Sequence, residues 1–89
     1  MALMVPNPVI TGDPILKMEA KGFLDRVGVK VFTASGRRVG YWVSSTLPQG
    51  LASYPLGMNL ANGTYHYLVE VQRDGRVLSR KAGTFFVLH

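Results

Sequence analysis

The sequence predicts an all-β domain of six or seven short strands, folded as a sandwich of two sheets or as a small barrel. Apolar and polar residues alternate with a period of two in every periodic segment. Glycine-containing turns separate these segments at the spacing that is typical of hairpins. No segment shows the spacing of a helix. The chain has 89 residues, of which 47% are hydrophobic, and this length allows one domain with one core.

Four alternating segments predict strands at residues 16–20, 26–33, 38–44 and 64–72. In each segment one set of apolar residues is expected to face the core. The expected core residues are Leu16, Met18 and Ala20, then Val27, Val29 and Val31, then Val39, Tyr41 and Val43, and finally Tyr65, Tyr67, Val69 and Val71.

Two further segments show weaker alternation. Residues 52–56 place Ala52, Tyr54 and Leu56 on one side, and Pro55 predicts that this strand lies at a sheet edge, because proline lacks an amide hydrogen. The last strand is expected over about residues 77–88, where the alternation slips near Gly83. A glycine inside a strand often marks a bulge, so a bulge is predicted there.

The turns agree with these strands. Ser35-Gly36 is expected to join the second and third alternating segments, and Asp74-Gly75 is expected to join the last two strands. Asp-Gly is a favoured two-residue hairpin turn because both positions tolerate positive φ. Gly36 is required for the same reason, since a side chain would be penalised at positive φ.

Three motifs in this order resemble a known family. Pro6-Asn7-Pro8 precedes the first strands, Ser35-Gly36-Arg37 forms a basic hairpin turn, and Gly63-Thr64-Tyr65 leads into a strand. Together they resemble the immunoglobulin-like modules related to the flagellar hook-capping protein, and the C-terminal sorting domains of the type IX secretion system. The sequence departs from that pattern at Thr33, where the family usually has Asp. It also has residues 51–55 where the family has a Trp-Asp-Gly segment.

The resemblance implies an immunoglobulin/fibronectin-III-like two-sheet sandwich of six to seven antiparallel strands. Residues 1–89 would form one domain of a longer chain, with residues 1–14 as a linker and first edge strand. The implied function is that of a non-catalytic accessory, structural or C-terminal sorting module of a larger exported bacterial protein. It would act outside the cytoplasm, at the cell surface, in the periplasm or in the medium. Its partner would be a neighbouring domain of the parent protein or a secretion or assembly component.

In the sorting version, the last strand is expected to carry the recognition information. Its candidate residues are Arg80, Lys81, Phe85 and Phe86.

The sequence offers few groups for catalysis, and neither enzymatic activity nor a cofactor is expected. The chain has no cysteine, and His66 is its only internal histidine. A Ser44, His66 and Asp25 triad exists only on paper, because no nucleophile-elbow glycines surround the serine. His66 and Glu70 share a strand face but lie about 13 Å apart, too far to share a metal ion. The aspartates Asp13, Asp25 and Asp74 are expected in turns, as capping residues.

One face of the two central strands is predicted to carry both basic and aromatic residues. These are Arg26, Lys30, Phe32, Arg38 and Trp42, on the side opposite the valines. A solvated sheet face does not need Phe32 and Trp42, and three interpretations stay open. A loop or terminus of the chain itself, for instance residues 1–10, could cover this face. A neighbouring domain or second copy could dock on it, or Trp42 could stack on a ligand.

The alternative function is a small stand-alone basic β-barrel that binds nucleic acid through its net charge of +5. No membrane insertion is expected, because no apolar run approaches the length of a spanning helix. Residues 1–10 lack the basic start of a signal peptide.

Overall fold

The structure is a computed structural model that describes residues 2–5, 9–10, 13–20, 22, 24–47 and 49–89. These described residues form seven β-strands. In chain order they are β1 (Ala2–Val5), β2 (Ile15–Ala20), β3 (Leu24–Thr33), β4 (Arg38–Leu47), β5 (Gly50–Pro55), β6 (Gly63–Arg73) and β7 (Arg76–Val87).

The strands form two antiparallel sheets. The smaller sheet has the order β1-β2-β5 and the larger sheet the order β4-β3-β6-β7. The prediction of an all-β, immunoglobulin/fibronectin-III-like sandwich is confirmed. β4 is hydrogen-bonded to β3 in the larger sheet, whereas β5, the next strand along the chain, belongs to the smaller sheet. The sheets share none of the described strands, so the architecture is a sandwich and not the barrel of the alternative function. Pro55 lies in β5 at the edge of its sheet, as predicted.

The core lies between the two sheets and draws on both of them. Its buried hydrophobic residues are Val9, Leu16, Met18, Ala20, Leu24, Val27, Val29, Val31, Leu56, Leu60, Tyr65, Tyr67, Val69, Phe85 and Val87. The predicted core positions of β2, β3 and β6 are among them, and Val71 packs against the cluster. The Phe85 ring has its centroid 5.6 Å from that of Tyr65 and 6.1 Å from that of Tyr67. This aromatic group fills the core at the β7 side.

The predicted orientation of β4 is wrong. Val39, Tyr41 and Val43 were expected in the core, but they are 37%, 45% and 42% exposed. The register pairs Val29 of β3 with Trp42 of β4. Cross-strand partners share a face of the sheet, so Trp42 points to the core side and its two neighbours point away.

The predicted bulge at Gly83 is also wrong. Gly83 is in regular register opposite Tyr67, and the register of this hairpin shifts between Val71 and Gln72 instead. A Cβ atom on Gly83 would overlap the Tyr67 ring. The glycine therefore serves close packing, since it leaves room for an aromatic ring that crosses β7.

The two predicted hairpin turns are confirmed. Gly36 has φ of 92°, and the backbone N–H of Gly36 donates to the Thr33 carbonyl at 2.9 Å. Asp74 and Gly75 have φ of 53° and 72°, the paired positive values of a type I′ turn. Asp25 does not lie in a turn, contrary to prediction, because β3 begins at Leu24. Its carboxylate instead accepts a hydrogen bond from the Gly75 N–H at 3.1 Å.

The N-terminal segment takes part in the sandwich. β1 is an edge strand of the smaller sheet, and Val9 is fully buried beside Val87. The Val9 N–H donates to the Phe86 carbonyl at 2.6 Å, and the Leu88 N–H donates to the Val9 carbonyl at 2.9 Å. The Pro6-Asn7-Pro8 motif lies outside the described residues.

Candidate functional site

The face of the larger sheet that points away from the smaller sheet is here called the outer face. Its members follow from the strand register. They include Arg26, Gly28, Lys30 and Phe32 of β3, Arg38, Tyr41 and Val43 of β4, His66, Leu68, Glu70 and Gln72 of β6, and Arg80, Thr84 and Phe86 of β7.

A groove crosses the middle of the outer face above Gly28. It has a volume of about 180 Å³ and is lined by Arg26, Gly28, Lys30, Tyr41, Leu68, Glu70 and Gln72. Gly28 forms the floor because it has no side chain, while the Tyr41 side chain leans across from β4. A Cβ atom on Gly28 would lie 3.8 Å from the Tyr41 hydroxyl, within ordinary contact distance. The groove therefore exists because Gly28 has no side chain, while Arg26 and Lys30 on either side of it along β3 have long ones.

Two arginines fix the wall formed by Tyr41. The Arg26 Nη2 donates a hydrogen bond to the Tyr41 hydroxyl at 2.6 Å. The Arg38 guanidinium lies 5.8 Å from the centroid of the same ring, a cation–π distance. The ring is thus held in place at both its edge and its face, although it is 45% exposed.

The opposite wall carries one carboxylate, that of Glu70. The Arg80 Nε donates to its Oε2 at 2.9 Å, and the Gln72 Nε2 donates to its Oε1 at 3.1 Å. The hydrogen bond from Arg80 is the main cause that lowers the pKa of Glu70 below its ordinary value. Gln72 and the charge of Lys30 act in the same direction. Glu70 therefore stays ionised at neutral pH, and its carboxylate forms an ion pair with Arg80.

Positive charge dominates the outer face. Arg26, Lys30, Arg38 and Arg80 lie there, and among the described residues of this face Glu70 is the one carboxylate. Such a surface attracts carboxylate or phosphate groups, and the exposed tyrosine ring adds an apolar contact.

The groups considered for catalysis are not brought together. Ser44 pairs with Val27 on the core side of the sheet, whereas His66 lies on the outer face and pairs its Nδ1 with the Thr84 hydroxyl at 3.0 Å. The Asp13 carboxylate accepts the Met58 N–H at 3.1 Å. Within the described part of the chain there is no group of three or more His, Cys, Asp or Glu residues that could hold a metal ion.

Four of the five residues predicted for this face are found on it. Arg26 and Lys30 line the groove, Arg38 lies over Tyr41, and Phe32 is half-buried at the end of β3. Trp42 is not on this face, contrary to the prediction. Its ring packs on the core side, with its centroid 5.4 Å from that of Tyr54 in β5.

The sequence prediction missed Tyr41, Gly28 and Glu70 as parts of the site. Either of two sets of alternate residues in β4, one with Tyr41 and one with Trp42, could face the core, and alternation alone cannot choose between them. The choice is made by the β3–β4 hairpin, where Val39 is an extra residue in the ladder between the pairs Val31–Gly40 and Phe32–Arg38. The strand contains no signal that reveals this shift.

The described part of the N-terminal segment does not cover the outer face, contrary to one of the three interpretations. β1 belongs to the smaller sheet and Val9 lies along the end of β7. Tyr41 and Val43 remain nearly half exposed. Docking of a partner and ligand binding are both compatible with this exposure.

The residues considered as a sorting signal differ in accessibility. Phe85 is fully buried in the core, and Arg80 is engaged with Glu70. Lys81 is exposed and Phe86 is 50% exposed. In the folded domain, a receptor could therefore reach Lys81, Phe86 and the 63% exposed side chain of Arg80, but not Phe85.

Comparison with known proteins found no matching family model and no similar curated protein. The resemblance to hook-capping and sorting modules therefore stays a prediction. Among the described residues there is no helix of the length and hydrophobicity needed to cross a membrane.

Proposed function

We propose that this chain is a non-catalytic module of a larger exported bacterial protein, and that it acts by docking through its outer face. The observation that carries the proposal is the contrast within β3. Val27, Val29 and Val31 make the core, while Arg26 and Lys30 of the same strand line an exposed groove with Tyr41. The partner is a neighbouring domain of the parent protein or a component of a secretion or assembly machine. Its docking surface would carry acidic groups, by charge complementarity.

The docking half of the proposal is tested by photo-crosslinking in the intact parent protein. A photoreactive phenylalanine analogue replaces Tyr41, which is 45% exposed, and a control places it at Leu51 of the smaller sheet, which is 63% exposed. We expect adducts from position 41 alone, seen as a band shift or as a cross-linked peptide by mass spectrometry. Adducts from position 51 alone would move the docking site to the smaller sheet.

The export half is tested with antiserum against the chain on fractionated cells and medium of the source organism. We expect a band well above the 9.8 kDa of this chain, in the envelope or the medium. A band near 9.8 kDa in the cytoplasm would contradict it.

The sorting version assigns recognition to β7. The exposed side chains of Lys81 and Phe86 on this edge strand support it. Because β7 is paired with β6 over its length, the whole chain should be fused to an unrelated secreted cargo, rather than β7 alone. We expect Phe86→Ala to reduce release of the cargo, with Leu51→Ala as the exposed control. Equal release of both fusions would remove the sorting version.

The nucleic-acid alternative has lost its main aromatic group. It relied on Trp42 as a stacking platform, and Trp42 packs against Tyr54. What remains is the cationic outer face, for which binding should weaken steeply as salt rises. A titration of the chain with a fluorescent single strand at increasing salt tests this, and binding that ignores salt would exclude it.

A further inference from the structure

The two sheets have four edges, and they differ in their protection against pairing with another strand. β1, β5, β4 and β7 are the edge strands. An exposed edge strand offers unpaired backbone groups to any further strand. Natural sheets limit such pairing with short strands, prolines, charges or β-bulges. The four edges can therefore be compared by length, proline content and charge.

Three of the edges are protected. β1 has only 4 residues, and β5 has 6 and includes Pro55. β7 carries Arg76, Arg80 and Lys81. The far end of β7 is covered by Val9, which exchanges hydrogen bonds with Phe86 and Leu88. Each of these edges has one of the usual devices against strand addition.

The β4 edge has such devices only at its first two residues, where Arg38 carries a charge and Val39 forms a bulge. The strand is 10 residues long, and after Arg38 its sequence is Val-Gly-Tyr-Trp-Val-Ser-Ser-Thr-Leu, without charge or proline. Among the described strands it pairs with β3 alone. On its outer side Val39, Tyr41 and Val43 are between 37% and 45% exposed. From Gly40 onward this is a long and uncharged edge of the kind that accepts another strand.

We infer that the β4 edge is a self-association site, at which β4 pairs antiparallel with β4 of a second copy. This inference goes beyond the proposed function and does not depend on it. An antiparallel arrangement about a two-fold axis perpendicular to the sheet keeps outer residues beside outer residues. Arg38 stands at one end of β4, so each Arg38 then lies across from the uncharged end of the other strand. No like charges within the paired strands oppose each other.

The register that serves this pairing best is centred on Trp42. It sets Tyr41 of each copy beside Val43 of the other, which joins an aromatic and a β-branched residue twice on the outer face. Both residues are nearly half exposed in the single copy, so the pairing covers them. The result is an eight-stranded sheet with one continuous outer face. Its small interface predicts a weak and reversible dimer.

The test is sedimentation equilibrium of the chain between ~10 µM and ~1 mM, the range for a small interface. We expect the weight-average mass to rise with concentration from 9.8 kDa toward twice that value. Val43→Lys should abolish the rise. Val77→Lys on β7 is the matched control, because Val43 and Val77 are each 42% exposed, and it should associate like the parent chain.

Amide hydrogen exchange provides a readout that needs no variant. Amides of β4 should become more protected as concentration rises, while those of β7 should not change. A monomer over the whole range overturns the proposal and leaves this edge to an extended segment of another protein. Association that Val43→Lys does not reduce overturns it as well, because the contact then lies elsewhere.

Discussion

The two faces of the larger sheet are built from the same strands, but they differ in burial and in charge. On the core side Val27, Val29 and Val31 are fully buried. On the outer face of the same strand Arg26 and Lys30 are exposed around a groove. Burial stabilises the fold through apolar area removed from water, whereas exposed charges contribute little to stability. The core side therefore specifies the fold, and the outer face contributes little to it.

Neighbouring residues on opposite faces allow this division to be tested pair by pair. The largest expected effect is at Phe85, which is fully buried, compared with Phe86, which is 50% exposed. Phe85→Ala should lower the free energy of unfolding by about 3–5 kcal/mol, because it leaves a cavity beside Tyr65 and Tyr67. Phe86→Ala should cost less than ~1 kcal/mol. Urea unfolding measures both, and similar losses would contradict the division.

Two strand glycines give the next comparison. A Cβ atom on Gly83 would overlap the Tyr67 ring, while one on Gly28 meets the Tyr41 hydroxyl at 3.8 Å. Gly83→Ala should destabilise the domain by about 1–3 kcal/mol, as overpacking does. Gly28→Ala should change stability by less than ~1 kcal/mol while it narrows the groove. Thermal unfolding of the two variants checks this, and a costly Gly28→Ala would show that the outer face is part of the packed structure.

The smallest expected effect concerns Glu70 on the outer face. Its pKa is lowered in the folded state, chiefly by the Arg80 hydrogen bond. The folded state then binds fewer protons than the unfolded state in acid. The contribution to stability is therefore present above the ordinary pKa of 4.5 and is lost as the pH falls through the folded pKa.

An NMR titration of the Glu70 carboxyl measures this shift. Arg80→Ala should raise the titration midpoint toward the ordinary value, since it removes the largest cause. Arg76→Ala removes an arginine from the start of the same strand and should leave the midpoint unchanged. A midpoint that Arg80→Ala does not move would show that the ion pair has no influence in solution.

The sequence predicts the fold well because alternation and turn chemistry are local properties. Asp74-Gly75 has an intrinsic preference for the positive φ values of its turn. In β3 the valines alternate with mostly polar residues, so only one side of the strand can face the core. β4 offers two apolar sides, and its orientation depends on the ladder with β3, which is a tertiary property. Gly83 misled the prediction for a similar reason, because Tyr67 comes from another strand.

The candidate site was predicted in part. Arg26 and Lys30 follow from the alternation of β3 alone, whereas the groove needs Tyr41 and Glu70 from strands on both sides. The charge of a surface is therefore easier to predict from a sequence than its shape, because shape depends on cross-strand neighbours.

The division between the two faces passes between Tyr41 and Trp42, so the stabilities of Tyr41→Ala and Trp42→Ala test it most directly. Trp42 packs on Tyr54 and the core, while Tyr41 is 45% exposed. We expect Trp42→Ala to lower the free energy of unfolding by about 2–3 kcal/mol, below the full core range because its burial is partial. Tyr41→Ala should lower it by less than ~1 kcal/mol. A larger loss of unfolding free energy for Tyr41→Ala than for Trp42→Ala would contradict this orientation of β4 and place Trp42 on the outer face.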